Sequence, residues 1–255
     1  MLLDIDAVQF WFLDALWQLP ISTRFFYRRS VGLSEHFNLR VPNHSLQQRV
    51  NAVISLIKHR LLKAWLGNDL CELDGMSVQR LICNHYQDEQ SPLWFDITPA
   101  GGAIWEIISK PDWQRYLEVS YADTPHNDEL PSSRAKSTNT SETQLIMAIS
   151  ERRLGEAVVY LQHYSMRYFL KAVVIDSGIR RPWQVSHWKE LPEAHWSRIA
   201  FEGRRENLAE PAPDDESRAT FYRWQSVGFN RFYCQSVVTD AEWRCSVSLD
   251  PADAP

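Results

Sequence analysis

LWFDITPAGGAIWEIISKPDWQRY, residues Leu93 to Tyr116, decides how the chain is read. A short run of β-type residues stops at Thr98-Pro99, passes through Gly101-Gly102 and restarts with helical spacing, the pattern of a strand-to-helix junction. Leu93 to Ile97 is expected as a strand. Ala100 to Ile108 is expected as a helix entered through the Pro99 turn, because proline's fixed φ suits the first turn of a helix.

Toward the N-terminus, apolar residues crowd Leu3 to Trp17 so densely that a helix there has to be buried on most of its circumference, with Pro20 ending it. Leu46, Val50, Val53, Ile57, Leu61 and Trp65 recur at three to four residues, after an Asn43 or Ser45 cap and before Gly67. That spacing predicts one long helix whose polar face carries Lys58, Arg60 and Lys63 near its negative end. Ser77 to Tyr86 reads as a shorter helix.

Toward the C-terminus, Ala122 to Ser141 shifts to Asp, Thr, Pro, Asn and Ser, the composition of a linker or loop. Glu142 to Arg167 is expected to be helical in part, with Gly155 weakening a continuous element. Tyr168 to Asp176, Trp183 to Lys189 and Trp196 to Glu202 are rich in β-branched and aromatic residues and are separated by Ser177-Gly178, Arg181-Pro182 and Leu191-Pro192. They read as an antiparallel sheet, with Phe221 to Val238 and Trp243 to Leu249 as further strands. The expected class is α+β. A helical unit over residues 1–121 and a mainly antiparallel β unit over 142–249 flank a linker at 122–141, and 250–255 form a disordered tail. No internal repeat is visible.

Composition narrows function mainly by exclusion. The chain has 255 residues, a formal charge of −5 and eleven tryptophans. The acidic balance opposes unspecific attraction to nucleic acid or anionic lipid and suits a basic partner. Cys71, Cys83, Cys234 and Cys245 show no CxxC spacing, and Asp4 and Asp6 stand where a signal peptide carries cations, so reduced thiols and a cytoplasmic protein are expected. No apolar run reaches the ~20 residues of a membrane-spanning helix. Nine glycines and no P-loop, GxGxxG or GxSxG leave nucleotide and hydrolase chemistry without a cradle or an elbow. No cofactor, metal or catalytic set is expected.

Two stretches invite chemistry and are better explained without it. His187-Trp188-Lys189-Glu190-Leu191-Pro192-Glu193-Ala194-His195 holds two histidines, but not at HExxH or zinc-finger spacing, and reads as a turn with polar residues facing water. Cys83-Asn84-His85 lacks an identifiable base or orienting group, so Cys83 reads as a small buried side chain. Arg24-Phe25-Phe26-Tyr27-Arg28-Arg29 could stack on bases, yet an amphipathic edge with cations over a buried aromatic face explains it better. The acidic runs Asp88-Glu89 and Asp214-Asp215-Glu216 read as solvated loops able to dock a basic partner.

Asp96-Ile97-Thr98-Pro99-Ala100-Gly101-Gly102 resembles the wing-side end of winged-helix domains in bacterial regulators, where a strand closes with Leu-Thr-Pro-x-Gly. Ile97 replaces Leu and one glycine is added. The resemblance implies a local winged-helix-like shape with Ser77 to Tyr86 as recognition helix, offering Gln79, Arg80, Asn84 and His85 to a groove. Eleven Lys or Arg against thirteen Asp or Glu leave residues 1–121 at −2, a poor match to phosphate. The profile as a whole is similar to bacterial immunity proteins, which neutralise a co-produced toxin by direct binding. That implies a protein-binding module rather than an enzyme, with Trp183, Trp188, Trp196, Asp214, Asp215 and Glu216 as partner contacts and at least one of the three tryptophans exposed. The alternative is a winged-helix DNA-binding regulator.

Overall fold

The computed structural model describes residues 2–17, 20–22, 44–67, 72–83, 92–121, 142–165, 169–204 and 243–248. In chain order these form β1 (Leu2–Asp6), α1 (Ala7–Leu16), β2 (Ile21–Ser22), α2 (Leu46–Lys58), β3 (Leu62–Leu66), α3 (Gly75–Cys83), β4 (Leu93–Ile97) and α4 (Pro99–Ser109). A 3₁₀ turn at Trp113–Arg115 leads to β5 (Leu117–Tyr121), β6 (Glu142–Ala148), α5 (Glu151–Ser165), β7 (Phe169–Arg180), β8 (Trp183–Ser186), β9 (Lys189–Leu191), β10 (Ala194–Arg204) and β11 (Arg244–Ser248). The class is α+β, with antiparallel pairing in every named sheet ladder. The expected tail, the Asp214–Glu216 run, the Arg24–Arg29 cluster, Asp88-Glu89 and the Phe221 to Val238 strand lie outside the described residues.

The chain divides into two units, one of Met1–Pro111, Gln184–Glu190 and Tyr233–Pro255, the other of Asp112–Trp183 and Leu191–Phe232. Neither is continuous, unlike the expected halves at 1–121 and 142–249. In the first unit the cause is the pairing of β1 with β11, from Leu2 opposite Ser248 to Asp6 opposite Arg244, closed by an Asp6–Arg244 ion pair at 3.5 Å.

In the first unit α1 starts where Asp6 and Gln9 cap each other: Gln9 N donates to Asp6 Oδ1 at 2.8 Å and Asp6 N to Gln9 Oε1 at 2.9 Å. All ten of its residues are buried, as a helix apolar all round requires. The preceding Leu2 to Asp6 is a strand, burying Leu3 and Ile5 in alternation. α2 begins with a second reciprocal cap between Ser45 and Gln48. It stops at Lys58, seven residues before the predicted end at Trp65. Arg60 turns left-handed (φ 58°), and Leu62–Leu66 pairs with β4. The same residues carry two periods: Leu61 and Trp65 continue the helical one, while Leu62 and Ala64 are the buried side of an alternation that the sheet selects. α3 begins at Gly75, two residues before the expected Ser77, with Asp74 Oδ1 accepting from Ser77 N at 2.7 Å, and the expected end, 84–86, lies outside the described residues.

At the strand-to-helix junction Thr98 caps α4, its Oγ1 accepting from Gly101 N at 3.1 Å and donating to Arg60 O at 2.7 Å. Gly101 is required by contact: a Cβ there would sit 2.1 Å from Leu61 O. β4 lies at the centre of a sheet ordered β2-β4-β3, whose inner residues Ile21, Leu62, Ala64, Phe95 and Ile97 are buried.

The second unit is a sheet ordered β5-β6-β10-β7. Leu154, Ala157 and Leu161 of α5 form one core with Leu117, Ile146, Ala148, Ile199 and Phe201. β6 occupies the beginning of the stretch expected to be partly helical, and α5 runs through Gly155 without a break. β7 and β10 pair along their length except for a register shift between Arg198 and Ile199. No helix among the described residues is long and apolar enough to cross a membrane.

Candidate functional site

Alternation along β3 and β4 sorts their side chains. With Leu62, Ala64, Phe95 and Ile97 inward, Lys63, Trp65, Trp94 and Asp96 share the other face, where Trp65 stands opposite Trp94 and Lys63 opposite Asp96. Both indoles are half-buried, and Lys63 Nζ lies 5.7 Å from the centre of the Trp65 ring. Asp96 is almost fully buried. Its Oδ2 lies 3.4 Å from both Lys63 Nζ and His187 Nε2, and its Oδ1 accepts from Ile97 N at 2.9 Å.

His187 Nε2 is also 2.5 Å from Ile97 O. A carbonyl only accepts, so Nε2 carries the hydrogen and the ring is oriented whether it is neutral or charged. Burial pushes the Asp96 carboxyl up from the ordinary Asp range, and the neighbouring His187 and Lys63 draw it back only in part. Burial thus disfavours the ionised form of Asp96, against the attraction of Lys63 and His187. A group held at a cost to stability marks a candidate site.

His187 is the first of three consecutive residues seated in the first unit. Trp188 Nε1 donates to Trp17 O at 2.7 Å, and its ring meets Trp105 edge-on at 6.1 Å while Trp105 stacks on Trp17 at 5.0 Å. Trp105 Nε1 donates to the buried carboxylate of Asp14 at 2.8 Å. Lys189 Nζ donates to Glu106 Oε1 at 2.5 Å. As expected, the stretch begins as a turn between two strands, β8 and β9, with His187 and Glu190 exposed, but residues 187–189 are also tied back into the first unit. Polar residues beside Trp188 look like a solvated turn in sequence because their partners are about 80 to 170 positions away.

The predicted partner tryptophans fare unequally. Trp183 is fully buried in the second unit, packed on Tyr116 at 5.3 Å. Its Nε1 has no acceptor at hydrogen-bonding geometry, although it favours the charged form of nearby Glu118, whose carboxyl is raised by burial and drawn back by Trp183 and Arg180. Trp188 is half-buried and engaged internally, and Trp196 lies across the strand on Gly178, 3.1 Å from where its Cβ would be. None of the three is exposed, because each fills a gap left by a smaller neighbour or stacks on another ring. His195 stands 3.9 Å from Glu193, in the other unit from His187. Among the described residues no three His, Cys, Asp or Glu are grouped to hold a metal ion. Cys83 is exposed rather than buried, and Cys245 is half-buried; both are free thiols.

Sequence reasoning missed Asp96, Lys63, Trp65 and Trp94. The available signal was the alternation of Leu62 to Leu66 and Leu93 to Ile97 taken together. No protein-family model, curated protein or solved structure matches the chain.

Proposed function

We propose that the chain is a cytoplasmic protein-binding module that neutralises a basic toxin by direct contact, as bacterial immunity proteins do, and that it performs no catalysis. The observation carrying the reading is the outer face of β3 and β4, where the half-buried Trp65 and Trp94 stand opposite each other beside the Lys63–Asp96 ion pair. Indoles ringed by charge are the composition of interface anchors, where a few residues supply most of the affinity. The chain's formal charge of −5 suits a basic partner. Trp183 and Trp188, held inside the fold, drop out as partner contacts, and Trp196 keeps only its half-exposed edge.

The test is capture from the native cell with wild type and Trp94→Ala side by side. A stoichiometric basic protein retained by wild type and lost by the variant supports the reading. Recovery of nucleic acid that salt releases steeply would favour the regulator instead, through the exposed Gln79 and Arg80 of α3. Equal capture by both proteins removes this face from the interface.

A further inference from the structure

We infer that the slot on α4 that holds Trp188 is a recognition site for a tryptophan flanked by cationic residues, which His187-Trp188-Lys189 fills from within the chain as a stand-in for the same pattern on a partner. Each of the three side chains meets a different feature of the first unit. The indole N–H is accepted by Trp17 O at 2.7 Å, the ring meets Trp105 edge-on, and Gly102 leaves the floor open where any other residue would place a Cβ. To one side His187 Nε2 faces Ile97 O at 2.5 Å and Asp96 Oδ2 at 3.4 Å. To the other, Lys189 Nζ donates to Glu106 Oε1 at 2.5 Å.

The slot and its occupant come from different parts of the chain. Every group that lines the slot belongs to the continuous stretch Met1–Pro111, whereas Gln184–Glu190 is a short insertion whose sequence neighbours on both sides belong to the second unit. Trp17 is the C-cap of α1, where a carbonyl has no donor within the helix and takes one from outside. Asp96 and Glu106 place a carboxylate on either side of the indole. The slot thus reads an apolar ring, one N–H and two cations, the few fixed points by which a groove selects a peptide.

The inserted segment satisfies the slot at those three residues and no further. Ser186, one position earlier, is 7% exposed and its Oγ has no hydrogen-bond partner, a cost that native packing ordinarily avoids. Glu190, one position later, is exposed.

Charge and position name the other occupant. Asp96 lines the slot and also stands on the outer face of β3 and β4 with Trp65 and Trp94, so a partner docked on that face reaches the slot. This step rests on the protein-binding reading, whereas the chemistry of the slot does not. A basic protein that presents an indole between two cations exchanges with residues 187–189 group for group. The internal segment is tethered, with an effective concentration on the order of mM, so a free peptide enters only when the tethered side chains are weakened. A partner anchored on Trp65 and Trp94 is tethered too.

Fluorescence anisotropy of a labelled Val-Ser-His-Trp-Lys-Glu peptide, copied from residues 185–190, on the full chain tests this. The variant carrying His187→Ala, Trp188→Ala and Lys189→Ala should bind it at least tenfold more tightly than wild type, and should not bind the same peptide with alanine in place of tryptophan. Adding Glu106→Lys should remove the gain. Lys189→Glu keeps the indole in place but sets its neighbour against Glu106, so it should also bind the peptide more tightly than wild type. That variant decides the matter if circular dichroism shows the triple variant unfolded. Folded variants that bind the peptide no better than wild type, or equally well without its tryptophan, overturn the inference. The peptide assay needs no toxin, so peptide binding as expected with unchanged capture by Trp94→Ala would fail the toxin-binding reading alone.

Discussion

Trp188 occupies the space in which a side chain on Gly102 would begin: a Cβ there would lie 2.2 Å from the indole ring. The two residues are far apart in sequence and fit only as a pair. Gly102 is thus fixed by a tryptophan that lands on α4, beyond any need of the turn itself.

Gly102→Ala forces that ring to move and should destabilise the first unit by about 1–3 kcal/mol, the usual cost of overpacking. Trp188→Ala opens a cavity and should cost about 3–5 kcal/mol. In the double variant the methyl group occupies vacated space, so the combined loss should fall below the sum. Urea unfolding of all four proteins measures it, and strict additivity would show that the pair is uncoupled.

Asp96→Asn should raise stability at neutral pH. A carboxyl whose folded pKa lies above its unfolded value contributes stability that is full below the unfolded pKa and is lost as pH rises through the folded one. Wild type should therefore fall behind the Asn variant as pH climbs out of the acid range, and the two curves should converge in acid. Thermal unfolding at a series of pH values reads this directly. A variant less stable than wild type at pH 7 would mean that Lys63 and His187 outweigh burial.

How much of this was legible in the sequence follows the range of the forces involved. The β4–α4 junction was readable because the Thr98 cap and Pro99 act on their own neighbours, as was the burial of α1. The end of α2 was not, since Leu61 and Trp65 fit a helix and the deciding partner, β4, lies some thirty residues on. For Lys63 the error had a cost at the site: a cation assigned to a helix face is the cross-strand partner of Asp96. The pairing of β1 with β11 leaves no local trace at all, so the discontinuous first unit could not be drawn from composition.

Gly155→Ala offers a contrasting test of a glycine with no packing duty. It lies inside α5 with open space around its Cβ position, so alanine should add about 0.5–1 kcal/mol by restricting the unfolded chain. Guanidinium unfolding of the second unit should show a higher midpoint with unchanged slope. A loss of stability would mean that the helix backbone there depends on the missing side chain.

Trp183 and Trp94 separate folding from recognition. Trp183 is fully buried against Tyr116, so Trp183→Ala should cost about 3–5 kcal/mol and lower the unfolding midpoint. Trp94 is half-buried on the outer side of its sheet, so Trp94→Ala should cost less stability yet weaken a partner complex by more than ~1.4 kcal/mol, a tenfold loss. Calorimetric unfolding and titration with the captured partner give the two numbers for each variant. If Trp183→Ala folds normally and alone loses the partner, the recognition surface belongs to the second unit, and Asp96 is held at its cost for another reason.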